Sequence, residues 1–163
     1  GNYTVGKKKY AEVEEDVKAL MAKAEDICAR LLALVDADAE AFEPLSKAYA
    51  IPKDDPNREA VMEQCLRDPA ATPMEILRLS CQAIDLHREM LDKGSVMMLS
   101  DVGTGVIFCQ SALYGAALNV RVNTKSMTDR TFAKAMDEET DALVEQYGTI
   151  ARQVYNVVLG RLA

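Results

Sequence analysis

Asp38 stands on a stripe that is otherwise apolar. Stepping by threes and fours through Tyr10, Val13, Val17, Leu20, Ala24, Ile27, Leu31 and Leu34 arrives at Asp38, with Asp36 two residues before it and Phe42 one turn after. Burying an unpaired carboxylate is costly, so such a residue either has a cationic or hydrogen-bonding mate or marks where the stripe turns to solvent. In the first case it can move protons or hold a cation. Asp101 follows Ser100 at the start of a segment rich in small residues. There a Ser-Asp pair reads as a helix cap, its carboxylate favoured by the positive end of the helix dipole. Asn119 and Asn123 are spaced i, i+4, with Gly115 a turn earlier, so both amides share one helix face. Two such amides suit bidentate recognition of a flat heterocycle, and equally suit hydrogen bonding between helices.

Other polar residues carry less. His87 lies in line with Ile84 and Leu91 and reads as a packed or interface histidine rather than a general base. Lys7-Lys8-Lys9 is the one basic run; it reads as a solvated helix start, with a local anion site as the alternative. The pair Met97-Met98 and the tyrosines read as core. Cys28, Cys65, Cys81 and Cys109 lie far apart without a CxxC pair, and one histidine cannot complete a metal cluster. They are expected to be buried, reduced thiols of a cytoplasmic protein.

Helices must position these residues. Ala, Leu, Met, Glu and Lys are frequent, Gly and Pro are few, and no alternating strand pattern competes. The pattern predicts an all-α chain of five helices. The first spans about Lys8 to Ala50, kinked at Pro44 and ended by Ile51-Pro52. Asp55-Pro56 starts a short second helix over about 57–67. Pro69 and Pro73 punctuate the connection to a third, about Met74 to Lys93, ended by Gly94. The fourth covers about 100–123; its several glycines predict a close backbone approach to another helix or to a ligand. Thr128-Asp129 caps the fifth, which runs to about Leu162. A first helix with no partner of matching length predicts an elongated homodimer.

The chain's 163 residues suit one domain, residues 1–163, and its 49% hydrophobic and 28% charged content reads as folded and globular. A net charge of −7 argues against nucleic acid, whose phosphates need a basic face. No signal peptide and no run of about 20 uninterrupted apolar residues are visible, so no membrane partner is expected.

Five strings, in order, carry a resemblance over essentially the whole chain: VGKKKYAEVEED, LVDADAEAF, AIPKD, LSDVGTG and YGAALNVRVNTKSMTD. Together they resemble the cyclodeaminase/cyclohydrolase family. One branch is the free-standing methenyltetrahydrofolate cyclohydrolase; the other is the cyclodeaminase half of formiminotransferase-cyclodeaminase. The resemblance implies an all-α homodimer that takes a tetrahydrofolate derivative as substrate and holds no permanent cofactor. It implies Asp36, Asp38 and Asp101 as acid/base or cation-stabilising groups, and Asn119 and Asn123 as pterin-orienting amides. Lys7, Lys8 and Lys53 would attract the folate's glutamate carboxylates. Arg121 lies between the asparagines and off their face, so it ranks lower.

Two departures bear on this. Family members begin with a proline-glycine-rich stretch and a small-residue helix before GKKKY, whereas this chain starts at Gly1-Asn2-Tyr3. Pro69 stands where relatives continue a helix, so altered local geometry is expected there. The KKKYAEVEED and ALNVRVN strings lie nearer the cyclohydrolase branch, and a chain ending soon after the fifth helix with no attached transferase domain looks like its free-standing form. The expected reaction is therefore hydrolysis of 5,10-methenyltetrahydrofolate to 10-formyltetrahydrofolate. The alternatives are the cyclodeaminase reaction, which expels ammonia, and a non-catalytic helical binding or scaffold dimer.

Overall fold

A computed structural model describes residues 1–163. Four long helices account for most of the chain: α1 Glu14–Tyr49, α2 Arg58–Lys93, α3 Leu99–Thr124 and α4 Arg130–Leu162. Short 3-10 turns at Lys8–Val13 and Val96–Met98 lead into α1 and α3. The all-α expectation holds, with four helices rather than five.

The difference lies in α2. The expected break at Pro69 and Pro73 is absent, and one 36-residue helix runs through both prolines. Its apolar register never lapses: Met62, Leu66, Pro69, Pro73 and Leu77 keep steps of three and four. Both prolines are buried, so tertiary packing outweighs their poor helix propensity. Pro44 likewise lies inside an unbroken α1. The anticipated start at Asp55-Pro56 falls two residues early: Asn57 is the N-cap, and the Asp55 carboxylate accepts its N–H at 2.8 Å. The cap of α4 is as expected, with the Asp129 carboxylate accepting the Phe132 N–H at 3.0 Å.

α2 is the spine. α1, α3 and α4 all pack on it, while α1 and α3 hardly touch each other. The largest apolar cluster joins Leu77, Cys81 and Ile84 of α2 to Val106 and Leu113 of α3 and Ala151, Val154 and Val158 of α4. A second cluster sets Leu20 and Ile27 of α1 against Leu79 and Leu86 of α2. α1 therefore has a partner of equal length, since both helices have 36 residues. The reasoning that led from an unmatched α1 to a dimer does not hold.

Two glycines of α3 make the close helix contacts expected of them, and the third faces open space. A methyl at Gly103 would come within 2.8 Å of Val158, and one at Gly105 would strike the His87 ring. His87 is thus pressed against α3, with Nδ1 2.8 Å from the Ala83 carbonyl, as the packed reading requires. A methyl at Gly115 would meet nothing within 4 Å.

α3 also has a bare side. By length and composition alone the segment Val96–Thr124 is long and apolar enough to cross a membrane, and only 28% of its most apolar window is buried. Phe108, Leu118 and Val122 are each about two-thirds exposed or more.

The thiols are unpaired, but not uniformly buried: Cys28 is exposed and only Cys81 is fully enclosed. Burial, with the Asp85 carboxylate second, pushes the Cys81 thiol up to about 12. Because the thiolate is the reactive form, timed alkylation at neutral pH read by mass spectrometry should mark Cys28 first and Cys81 only on unfolding. Equal rates at the two would contradict this packing.

Candidate functional site

Because α1 and α3 flank α2 without meeting, a groove opens between them, with α2 as its floor. Each helix contributes one face in helical register. From α1 come Leu31, Leu34, Val35, Asp38 and Phe42; from α2, Pro69, Pro73 and Ile76. From α3 come Ala112, Gly115, Ala116, Asn119, Val122 and Asn123. The cavity measures about 650 Å³, within the range of small-molecule sites. Gly115, Ala112 and Ala116 keep its α3 wall low, which is the use of a glycine whose missing side chain would face open space.

Asp38 and the two asparagines are therefore brought together on opposite walls. Asp38 is exposed and pairs with no cation; its carboxylate is free to face a ligand. It has neither the buried mate nor the purely outward position that the stripe left open. Asn119 and Asn123 are anchored through their amide nitrogens. Asn119 Nδ2 donates to the Gly115 carbonyl at 3.1 Å, and Asn123 Nδ2 to the carbonyls of Asn119 and Pro69 at 3.0 and 3.3 Å.

The other candidates lie elsewhere. Asp36 is exposed on α1 but does not line the groove. Asp101, in the first turn of α3, lines a separate 250 Å³ depression with His87, Met21 and Gly1. It makes no capping hydrogen bond; Met98 is the N-cap of α3. Lys7 and Lys8 precede α1, and the 24 residues from Glu14 to Asp38 span about 36 Å of helix, so neither reaches the groove. Lys53 is nearer, in a polar depression with Arg58, Ser126 and Thr128 beyond the ends of α1 and α3. Arg121 is ion-paired with Asp141 of α4, as its position off the amide face suggested.

The groove's floor was missed in the sequence because Pro69 and Pro73 read as a connection. Their signal was the apolar register continuing through them. No group of His, Cys, Asp and Glu is arranged to hold a metal ion.

A model of the family described as formiminotransferase-cyclodeaminase matches residues 1–142. The methenyltetrahydrofolate cyclohydrolase of Methylorubrum extorquens is 33% identical, the match covering 99% of this chain and 79% of that protein. The formimidoyltransferase-cyclodeaminase of Sus scrofa is 28% identical over 100% of this chain but only 31% of its own length. Among solved structures, the formiminotetrahydrofolate cyclodeaminase of Thermotoga maritima superposes with a TM-score of 0.83 at 25% identity. That match covers 97% of this chain and 78% of that one.

Proposed function

The chain belongs to the formiminotransferase-cyclodeaminase family, and from that premise we propose that it hydrolyses 5,10-methenyltetrahydrofolate to 10-formyltetrahydrofolate in the α1–α3 groove. The observation that carries this reading is the unpaired Asp38 carboxylate facing two anchored amides across a groove of about 650 Å³. The methenyl bridge is a cation shared between two nitrogens, and a carboxylate beside it stabilises that charge. Asp38 takes a proton as water's oxygen bonds to the bridge carbon. The resulting hydroxyl then loses its proton while N5 gains one, and the C–N5 bond breaks. N10 keeps the formyl group, and one proton is released to solvent overall. Lys53 and Arg58, past the groove's end, meet the glutamate carboxylates of the tail. With Asp36, Asp101, Lys7 and Lys8 outside the groove, Asp38 carries the proton transfers alone. The free thiols suit a reducing compartment such as the cytoplasm.

Identity of 33% over most of the cyclohydrolase, against 28% over a third of the pig protein, favours hydrolysis. The likeness to the Thermotoga cyclodeaminase supports ammonia release from the formimino compound as the second reading. Methenyltetrahydrofolate absorbs in the near ultraviolet, so its loss with and without protein tests the first. Turnover of the formimino compound alone would transfer the assignment, and action on neither would leave a binding or scaffold role.

The same reading includes a homodimer. Thr104, Phe108, Ser111, Gly115, Leu118 and Val122 follow each other at four, three, four, three, four along the bare side of α3. That spacing is a coiled-coil seam with small residues at its centre. Leu32, Val35 and Phe42 on α1 are exposed in the same way, at 71%, 67% and 53%. An apolar surface of this kind marks an interaction face, and a second copy covers Leu32, Phe108 and Leu118, leaving the groove residues Val35, Phe42, Gly115 and Val122 at its edge open to the ligand. Light scattering after gel filtration should give twice the chain mass for the wild type and the chain mass for Leu118→Asp. A wild-type monomer at micromolar concentration would contradict the dimer.

A further inference from the structure

Pro73 has no backbone N–H, so the Pro69 carbonyl, four residues earlier in α2, has no intrahelical donor. A backbone carbonyl removed from water must find another partner. Asn123 of α3 supplies it, with Nδ2 at 3.3 Å, and the same nitrogen donates to the Asn119 carbonyl at 3.0 Å. An amide nitrogen has two hydrogens, and both are committed. The group cannot flip, because Oδ1 would then face two carbonyl oxygens. Asn123 Oδ1 accepts no hydrogen bond from the protein, and the residue lines the groove beside Pro69 and Pro73. Asn119 repeats the arrangement a turn earlier: Nδ2 is held by the Gly115 carbonyl at 3.1 Å and Oδ1 is left open. The α3 wall thus presents amide oxygens one helical turn apart.

We infer that this wall selects a ring edge made of hydrogen donors, with Asn123 as the specificity-determining residue and Pro73 as the positioning residue that fixes its amide. The inference rests on the folate reading and refines it. A pterin carries such an edge in its ring N3–H and adjacent 2-amino group. A pteridine with an oxo group in place of the amine sets acceptor against acceptor, and the unpaired oxygen costs binding. Nothing in the family match or the proposed reaction specifies which edge of the ring faces α3, or gives α2's prolines a part in recognition.

The test compares pterin (2-amino-4-oxopteridine) with lumazine (2,4-dioxopteridine) as inhibitors of methenyltetrahydrofolate turnover. The wild type should prefer pterin by about tenfold, the cost of one unsatisfied acceptor. Asn123→Ala should bring the two inhibition constants within about threefold of each other by removing that acceptor. In Pro73→Ala the restored N–H competes for the Pro69 carbonyl, which should narrow the preference while leaving every polar lining group in place. A merely structural role would weaken both inhibitors together and leave their ratio unchanged. Turnover with no pterin preference in the wild type, or a wild-type ratio retained in Asn123→Ala, overturns the inference and spares the folate reading. Failure of the wild type both to turn over the folate and to bind either ring overturns both.

Discussion

Asp38→Asn is expected to lower kcat for methenyltetrahydrofolate hydrolysis by about 10²–10⁴-fold, the usual contribution of a positioned acid-base group. The amide keeps the side chain's shape and its place on the α1 wall, but it can neither take the proton from water nor balance the bridge cation. KM should change far less, since the ring edge and tail are held by other residues. Asp38 is exposed and makes no ion pair or hydrogen bond in the folded chain, so the substitution should alter stability by no more than about 0.5 kcal/mol. Loss of turnover with an unchanged melting curve therefore separates chemistry from folding. A kcat within about threefold of the wild type would remove Asp38 from the mechanism, because a positioned acid-base group accounts for far more than that.

Leu77→Ala should have the largest effect on folding. Leu77 is fully buried where α2 meets α3 and α4, at the centre of the main apolar cluster. Truncation removes the transfer free energy of the lost atoms and leaves a cavity that close-packed helices only partly refill, together about 2–5 kcal/mol. A domain's whole stability is about 5–15 kcal/mol, so a large part of it depends on this side chain. With a melting-temperature change of roughly 2–4 °C per kcal/mol at this size, calorimetry should record a drop of several degrees to well over ten. Val61→Ala, on an exposed turn of α2 outside both the groove and the dimer face, is the control and should leave stability almost unchanged. Similar losses for both would mean that the core has been misplaced.

The sequence displayed most of this architecture because helical register is a local property. α1, α3 and α4 follow from apolar positions recurring every three or four residues, and the Asp129 cap follows from its position before α4. The same register put Asp38 on a defined face and aligned Asn119 with Asn123. α2 reads as two helices in the sequence because proline is the strongest local helix breaker; its buried contacts with three other helices decide otherwise. Distance was the other illegible quantity. Asp36 and Asp101 belong to strings as distinctive as those of the groove residues, yet one projects elsewhere on α1 and the other lies by His87. Lys7 and Lys8 are separated from the groove by most of the length of α1. Composition could not reveal that α1 and α3 stand apart over α2, which is what makes the groove.

The central claim is that folate chemistry takes place in that groove. Its most direct test is an amide chemical-shift map of the isotope-labelled protein titrated with tetrahydrofolate. Saturable shifts should cluster on residues 34–42 of α1, 74–76 of α2 and 112–123 of α3, with Lys7, Lys8 and Asp101 unmoved. Shifts centred on Met21, His87 and Asp101 instead, or no saturable shifts, would contradict the assignment.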